Sequence, residues 1–192
     1  LLTGSSGQVG HALQTSLVGL GEIIAPQRAQ LDLSNSAAIA DFVSATRPDL
    51  IINPAAYTTV DLAEDETASA HAINAEAARV FAEQARALEI PLLHYSTDYV
   101  FDGLRGAPYT EEAVPHPRNH YGVSKRAGEQ AVLSHGGSVF RLQWLYDTRG
   151  KNFFRAVRAR AEKGEALRVV ADQLGAPGYA PHVAACVLQA MQ

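Results

Sequence analysis

The sequence is short of the features that mark several large protein classes. It has one cysteine, Cys186, too few for an internal disulfide. A disulfide-built secreted scaffold is therefore excluded, and a reducing cytoplasm is the expected compartment. No apolar run reaches the ~18 residues a membrane span needs, and no basic stretch followed by an apolar one opens the chain, so neither a membrane partner nor a leader is expected. Charge is sparse as well. Charged residues make up 19%, with 16 basic against 20 acidic and a net charge of −4, which gives no basic excess to hold nucleic acid. Repeats and low-complexity tracts are missing. What the chain does have is apolar content, 47% of 192 residues, enough for a real core and incompatible with disorder. The length suits one domain, or one plus part of a second. The opening Leu1-Leu2-Thr3 reads as the end of a first strand that has lost its start, in a chain cut short at both ends.

Short apolar runs alternate with Ala-rich amphipathic segments. Leu1–Thr3, Glu22–Ala25, Asp49–Asn53, Pro91–Ser96 and Ser138–Leu142 read as strands. Gln8–Leu20, Ala37–Thr46 (with Ser34 as its cap), Glu66–Glu89 and His120–Ser134 read as helices. This βα pattern has crossovers long enough for parallel pairing. Its continuous apolar strands fit a sheet covered on both faces. The expected fold is α/β, a doubly wound Rossmann-like parallel sheet over 1–146. After Asp147 the pattern changes to a basic helix (Asn152–Lys163), a short strand (Leu167–Ala171), the loop Asp172–Pro181 and a final helix. Residues 147–192 are expected to begin a small, incomplete substrate lobe with a return helix. Cys186, in that last helix, reads as a small buried hydrophobe.

Thr3-Gly4-Ser5-Ser6-Gly7-Gln8-Val9-Gly10 spans the junction of the first strand and first helix. Gly4 permits the tight turn, Gly7 lets the backbone approach a pyrophosphate, and Gly10 lets helix pack on strand. The helix start supplies free N–H groups and the positive end of its dipole. A dinucleotide site follows. About 20 residues on, where an NAD enzyme carries an acid for the ribose, this chain has Ala25-Pro26-Gln27-Arg28. Arg28 reads either as a partner for the 2′-phosphate of NADP or as a solvated loop arginine. Asp32, in Leu31-Asp32-Leu33-Ser34, is placed to accept from an adenine amino group.

Tyr121-Gly122-Val123-Ser124-Lys125 sets Tyr and Lys one turn apart on a helix face. An ammonium near a phenol favours the phenolate, so Lys125 is expected to lower the pKa of Tyr121 and make it a usable acid/base for carbonyl–alcohol interconversion. Ser96-Thr97-Asp98 ends the preceding strand with hydroxyls. Thr97, Tyr121 and Lys125 are the candidate catalytic residues.

With these motifs the chain resembles the extended short-chain dehydrogenases/reductases, and within them the dTDP-4-dehydrorhamnose reductase family. The resemblance rests on Asn53–Glu64 (NPAAYTTVDLAE), His94–Gly103 (HYSTDYVFDG), Tyr121–Lys125 with Gly128-Glu129, Arg141–Tyr146 (RLQWLY) and Asp172–Pro177 (DQLGAP). It implies reduction, by NADPH or NADH, of the 4-keto group of dTDP-4-dehydro-β-L-rhamnose to dTDP-L-rhamnose, in cell-surface polysaccharide biosynthesis. By position, Gly4–Val9 would hold the pyrophosphate and Asp32-Leu33 the adenine. Ala55, Ala56, Tyr57 and Tyr95 would line the cofactor, and Lys125 would reach the nicotinamide ribose. Thr97, Asp98, Tyr99 and Trp144 would face the sugar, and Tyr121 would protonate the ketone oxygen. Tyr99 and Phe101 read equally as packing residues, and Trp144 also as core.

The chain departs from the family at Pro54, His120, Leu142-Gln143 (for a Thr-Ser-type pair) and Gly178. It also has Ala12 where some members place a Mg²⁺-bridging glutamate, so no metal is expected; the scattered histidines offer no ligand set either. Relatives continue for roughly another hundred residues. The partner expected is a small sugar nucleotide, with a homodimer compatible with the resemblance. Two other functions stay open: a related sugar-nucleotide epimerase or reductase, and a non-catalytic regulatory subunit like the β subunit of methionine adenosyltransferase.

Overall fold

The computed structural model describes residues 1–191. Three parallel strands, β1 (Ile51–Asn53), β2 (Leu92–Thr97) and β3 (Ser138–Leu142), form the sheet in that order. The register runs Ile51↔Leu92 on one side and Leu93↔Ser138 to Thr97↔Leu142 on the other. The sheet extends past β1 through single contacts. Leu2 bridges Ile52 in parallel, and the Leu2 N–H donates to Ile24 O at 2.9 Å. From Leu2 the chain thus runs first toward Ile24 on one side and then to β1 on the other. That reversal creates a crevice at the carboxyl ends of the strands, where open α/β sheets bind ligands.

Side chains alternate across the sheet. Ile51 and Leu92 join a core with α2 (Ser36–Thr46), α4 (Ala77–Leu88) and Val132 of α5 (His120–Ser134). Ile52 and Leu93 join the opposite core with α1 (Gln8–Ser16) and α7 (Ala180–Ala190). Helices therefore cover both faces, as the apolar strands required. The long helical stretch comprises α3 (Thr67–His71), a π-helical turn at Ala72–Glu76, and α4.

Five expectations are corrected. The apolar run Glu22–Ala25 contributes one backbone bond rather than a strand, since Pro26 follows at once and lacks the N–H that would continue a ladder. Helix α1 stops at Ser16, short of Leu20. Its side-chain-capped neighbour α2 uses Asn35, whose Oδ1 accepts from Ala38 N at 3.0 Å, while Ser34 donates instead to Asp32. Leu167–Ala171 is not a strand; Leu167, Val169 and Val170 are exposed and pair with nothing. The small second sheet instead joins β4 (Leu145–Tyr146) to β5 (Gly178–Tyr179), with α6 (Phe153–Glu162) between them. Cys186 is exposed, because α7 buries Ala180, Ala184 and Val187 and Cys186 lies off that stripe.

Candidate functional site

The glycine turn sits in the crevice. Gly4 has φ +55° and packs so closely on β1's extension that an added Cβ would lie 2.9 Å from the Ala55 backbone. A Cβ on Gly10 would lie 2.1 Å from Gly4 O, and one on Gly7 3.3 Å from the same atom. Helix α1 has no side-chain cap and no acid in its first turn, so its leading N–H groups remain for an anion. These features fit a pyrophosphate. Ser5 is buried, and Gln27 Nε2 donates to its Oγ at 3.0 Å, tying the segment after Ala25 to the turn. Arg28 is exposed. The exposed Asp32 carboxylate accepts from Ser34 N and Oγ, which hold it below its usual range, with Arg28 adding to the effect.

Beneath the turn lies a buried polar chain. Thr3 Oγ1 donates to Asn53 Oδ1 at 2.6 Å, Asn53 Nδ2 donates to His94 Nδ1 at 3.2 Å, and Ala55 N donates to Thr3 Oγ1 at 3.3 Å. Burial, with Lys125 nearby, holds His94 far below its usual range and therefore neutral. Asn74, in the π-helical turn, clasps Tyr57 on both backbone groups (2.8 and 3.0 Å) and donates to Ser124 Oγ at 3.0 Å. Such turns recur at functional sites. Thr3, Gln27, Asn53 and His94 fell within the quoted motifs without a role of their own, and Asn74 fell outside them; an asparagine on the buried side of an Ala-rich helix was the signal available for it.

Helix α5 starts where Asn119 Oδ1 caps Gly122 N at 2.7 Å. Tyr121 and Lys125 then point inward together, 8% and 2% exposed. The Tyr121 ring packs with Ala63 and Ala70, with Tyr57 at the margin, and meets Tyr99 edge-on at 5.6 Å. Lys125 Nζ donates to Tyr95 O at 2.6 Å. Thr97 ends β2; its hydroxyl donates to Asp98 Oδ1 at 3.0 Å. The expected lowering of Tyr121 does not occur. Burial pushes its phenol up to about 12, against the Thr97 hydroxyl. Burial also lowers Lys125 to about 8, with Glu129 opposing. Desolvation outweighs the Thr97 hydrogen bond at Tyr121 and the Glu129 charge at Lys125.

Ala55 adjoins the glycine turn, and both it and Ala56 are half-buried. Tyr95 has its ring in the core, stacked on Phe140 at 5.8 Å, and its hydroxyl is buried without a partner. Trp144 has φ +44° and is 46% exposed, so it is no core residue. Its ring covers Gly175, where a Cβ would sit 2.8 Å from it. Glu129, fully buried, accepts from Arg126 Nη1 (2.9 Å) and from Arg141 Nε and Nη2 (2.8 and 2.9 Å). Arg141 lies 5.0 Å over the Phe101 ring, tying the 101–117 loop to the sheet. Among the described residues no group of three or more His, Cys, Asp or Glu is placed to hold a metal ion, and no helix is long and apolar enough to cross a membrane.

A doubly wound sheet with this turn at its first strand and a Tyr–Lys pair beside its fourth apolar run defines a Rossmann-like fold of the short-chain dehydrogenase/reductase type. Comparison with known proteins is more specific. The family model "RmlD substrate binding domain" matches residues 1–192. A dTDP-4-dehydrorhamnose reductase from Burkholderia thailandensis is 43% identical over 186 residues, covering 96% of this chain and 62% of the relative. A dTDP-4-keto-6-deoxy-D-glucose reductase from Streptomyces niveus is 40% identical over 183 residues, 93% of this chain and 64% of the relative. The crystal structure of dTDP-4-dehydrorhamnose reductase from Bacillus anthracis, in complex with NADP, superposes with a TM-score of 0.93 at 38% identity, covering 98% of this chain and 69% of that one. The chain belongs to the dTDP-4-dehydrorhamnose reductase family. It spans between 62% and 66% of the length of the first curated relatives it matches.

Proposed function

We propose that the protein carrying this chain reduces the 4-keto group of dTDP-4-dehydro-β-L-rhamnose to dTDP-L-rhamnose, using NADPH or NADH, in the cytoplasm. Residues 1–146 would bind the cofactor and residues 147–192 would begin the sugar lobe. The observation that carries this reading is the buried Tyr121 phenol, met by the Thr97 hydroxyl and set one helical turn before the buried Lys125. The dinucleotide, when bound, supplies the hydride.

The protein supplies the rest. Reduction needs a proton for the developing alkoxide. A phenol at about 12 is loaded with that proton throughout the physiological range, and an alkoxide is basic enough to take it. Transfer leaves a phenolate in an apolar setting. Lys125, at about 8, is mostly protonated at pH 7 and stabilises that anion. The ammonium thus acts on the charge that develops rather than on the resting phenol. The Thr97 hydroxyl, which here donates to Asp98 Oδ1, would turn its one proton to the same substrate oxygen, while Asp98, Tyr99 and Trp144 would face the sugar. Gly4, Ser5, Ser6, Gly7, Gln8 and Val9 would hold the pyrophosphate, with Gly10 letting the helix pack close beneath it. Asp32 and Leu33 would meet the adenine, and Ala55, Ala56 and Tyr57 would line the cofactor; Tyr95, expected beside it, has its ring in the core. A sugar nucleotide is the small-molecule partner, and a homodimer is compatible with the reading.

A second reading, reduction of a different dTDP-4-keto-6-deoxy sugar, is favoured by the Streptomyces niveus relative's name. Incubating the full-length protein with NADPH and each sugar nucleotide decides between them. Oxidation of one NADPH per dTDP-4-dehydrorhamnose consumed is expected. Turnover only with another 4-keto sugar selects the second reading. Isomerisation without net oxidation marks an epimerase, and inertness with tight binding to a protein partner marks a regulatory subunit.

A further inference from the structure

Gln143 stands where the family pattern has a short hydroxyl residue, and its amide is spent on two walls of the sugar side. Nε2 donates to Asp98 Oδ2 at 3.0 Å, and Oε1 accepts from the Ala176 N–H. The two ends of the amide are not interchangeable here, because a carboxylate only accepts and a backbone N–H only donates. Asp98 Oδ2 is thereby held by Gln143, and this hold persists when the Thr97 hydroxyl, now 3.0 Å from Oδ1, turns its proton to the substrate. The 172–177 loop is drawn in at the same point. Gly175 lies so close that a Cβ there would come within 2.9 Å of Gln143 Nε2 and of the Trp144 ring. The main chain joins in, with Gly178 N donating to Gln143 O at 3.2 Å.

We infer that Gln143 is a positioning residue that sets sugar specificity: it locks the Asp98 carboxylate and fixes the gap between Asp98 and the Trp144–Gly175 wall. The inference rests on the reductase reading. A serine or threonine at this position is too short to span both partners. The longer amide narrows the site and leaves Asp98 pre-oriented toward a hydroxyl-bearing ligand. It touches neither the glycine turn nor Lys125, so cofactor binding lies outside its reach.

The test uses the full-length protein with Gln143→Met, which keeps the length and removes both polar contacts, and Gln143→Glu, which keeps one. For Gln143→Met, amide exchange at Ala176 is expected to accelerate. KM for dTDP-4-dehydrorhamnose should rise about tenfold, the scale of one hydrogen bond to a charged group, with KM for NADPH unchanged. For Gln143→Glu, two carboxylates face each other, so KM for the sugar should be impaired at pH 8 and recover toward pH 5.5, where the pair shares a proton. A merely structural role would give no such pH dependence. An active parent whose Gln143→Met variant keeps its sugar KM, or loses sugar and NADPH affinity together, overturns the inference and leaves the reductase reading standing. An inactive parent overturns both.

Discussion

Lys125 carries a cost that can be measured without any ligand. It is 2% exposed, and its ammonium makes one hydrogen bond, to Tyr95 O at 2.6 Å. Moving a lysine from 10.5 to about 8 disfavours the folded protein by about 3 kcal/mol when the group is charged, at ~1.4 kcal/mol per pH unit. Replacement by Met keeps the aliphatic stem and removes the charge. It also strands the Tyr95 carbonyl, a loss of about 1–2 kcal/mol. Lys125→Met should therefore be more stable than the parent by about 1–2 kcal/mol at pH 7 in urea unfolding. The sign of the pH dependence is fixed. The folded lysine binds fewer protons than the unfolded one between about 8 and 10.5, so the parent gains stability as pH rises through that window. Its deficit against the variant should shrink by about 2 kcal/mol from pH 7 to pH 9.5. Groups common to both proteins cancel in the difference. A variant that is less stable at pH 7, with a gap that does not move with pH, would refute the reasoning. It would mean that the ammonium is solvated or paired in the folded state.

Three other outcomes are expected. Gly7→Val should leave thermal unfolding nearly unchanged but weaken dinucleotide binding roughly tenfold or more, since the side chain fills the phosphate's space; unchanged affinity in titration calorimetry would make the turn structural only. Arg28→Ala should weaken NADPH about tenfold while sparing NADH, which has no 2′-phosphate for a charge-assisted bond, and equal losses for both cofactors would remove Arg28 from the site. Glu129→Gln should destabilise by about 3–5 kcal/mol by leaving Arg126 and Arg141 uncompensated around a buried group. Because hydrogen bonds from Arg141 and Arg126 hold that carboxylate below its usual range despite its burial, the parent should lose this advantage as pH falls through the acid range; a difference that persists at low pH would contradict it.

The architecture was legible wherever periodicity and burial agree. Helix α5 and strand β3 have the boundaries their patterns give, because Asn119 caps the one and Val139, Phe140 and Leu142 of the other sit in register on β2. The crossover before β2 read correctly as one long helix, but its π-helical turn leaves no periodic mark. Leu167–Ala171 misled for the opposite reason: an apolar run makes a strand only where an edge is available to pair with it, and none lies beside these residues. The glycine turn and the Tyr–Lys pair stood out because their chemistry demands fixed residue types at fixed spacing. The support around them did not. Thr3, Asn53 and His94 come together from three separate segments, as do Asp98, Gln143 and Ala176, and no local pattern reports such meetings. The electrostatics also escaped the sequence. Spacing sets Lys125 near Tyr121, but the depth of burial decides which way each group titrates.

Tyr121 is the centre of the proposed chemistry, and the direct measurement is the steady-state rate of NADPH oxidation by the full-length protein and its Tyr121→Phe variant, with dTDP-4-dehydrorhamnose as substrate. The ring and its packing against Ala63, Ala70 and Tyr99 survive the change, so NADPH affinity should be little altered. The proton is lost. General acid catalysis is worth ~10²–10⁴-fold, and kcat should fall by about that factor. A variant that turns over as fast as the parent would show that the proton comes from elsewhere and contradict the assignment.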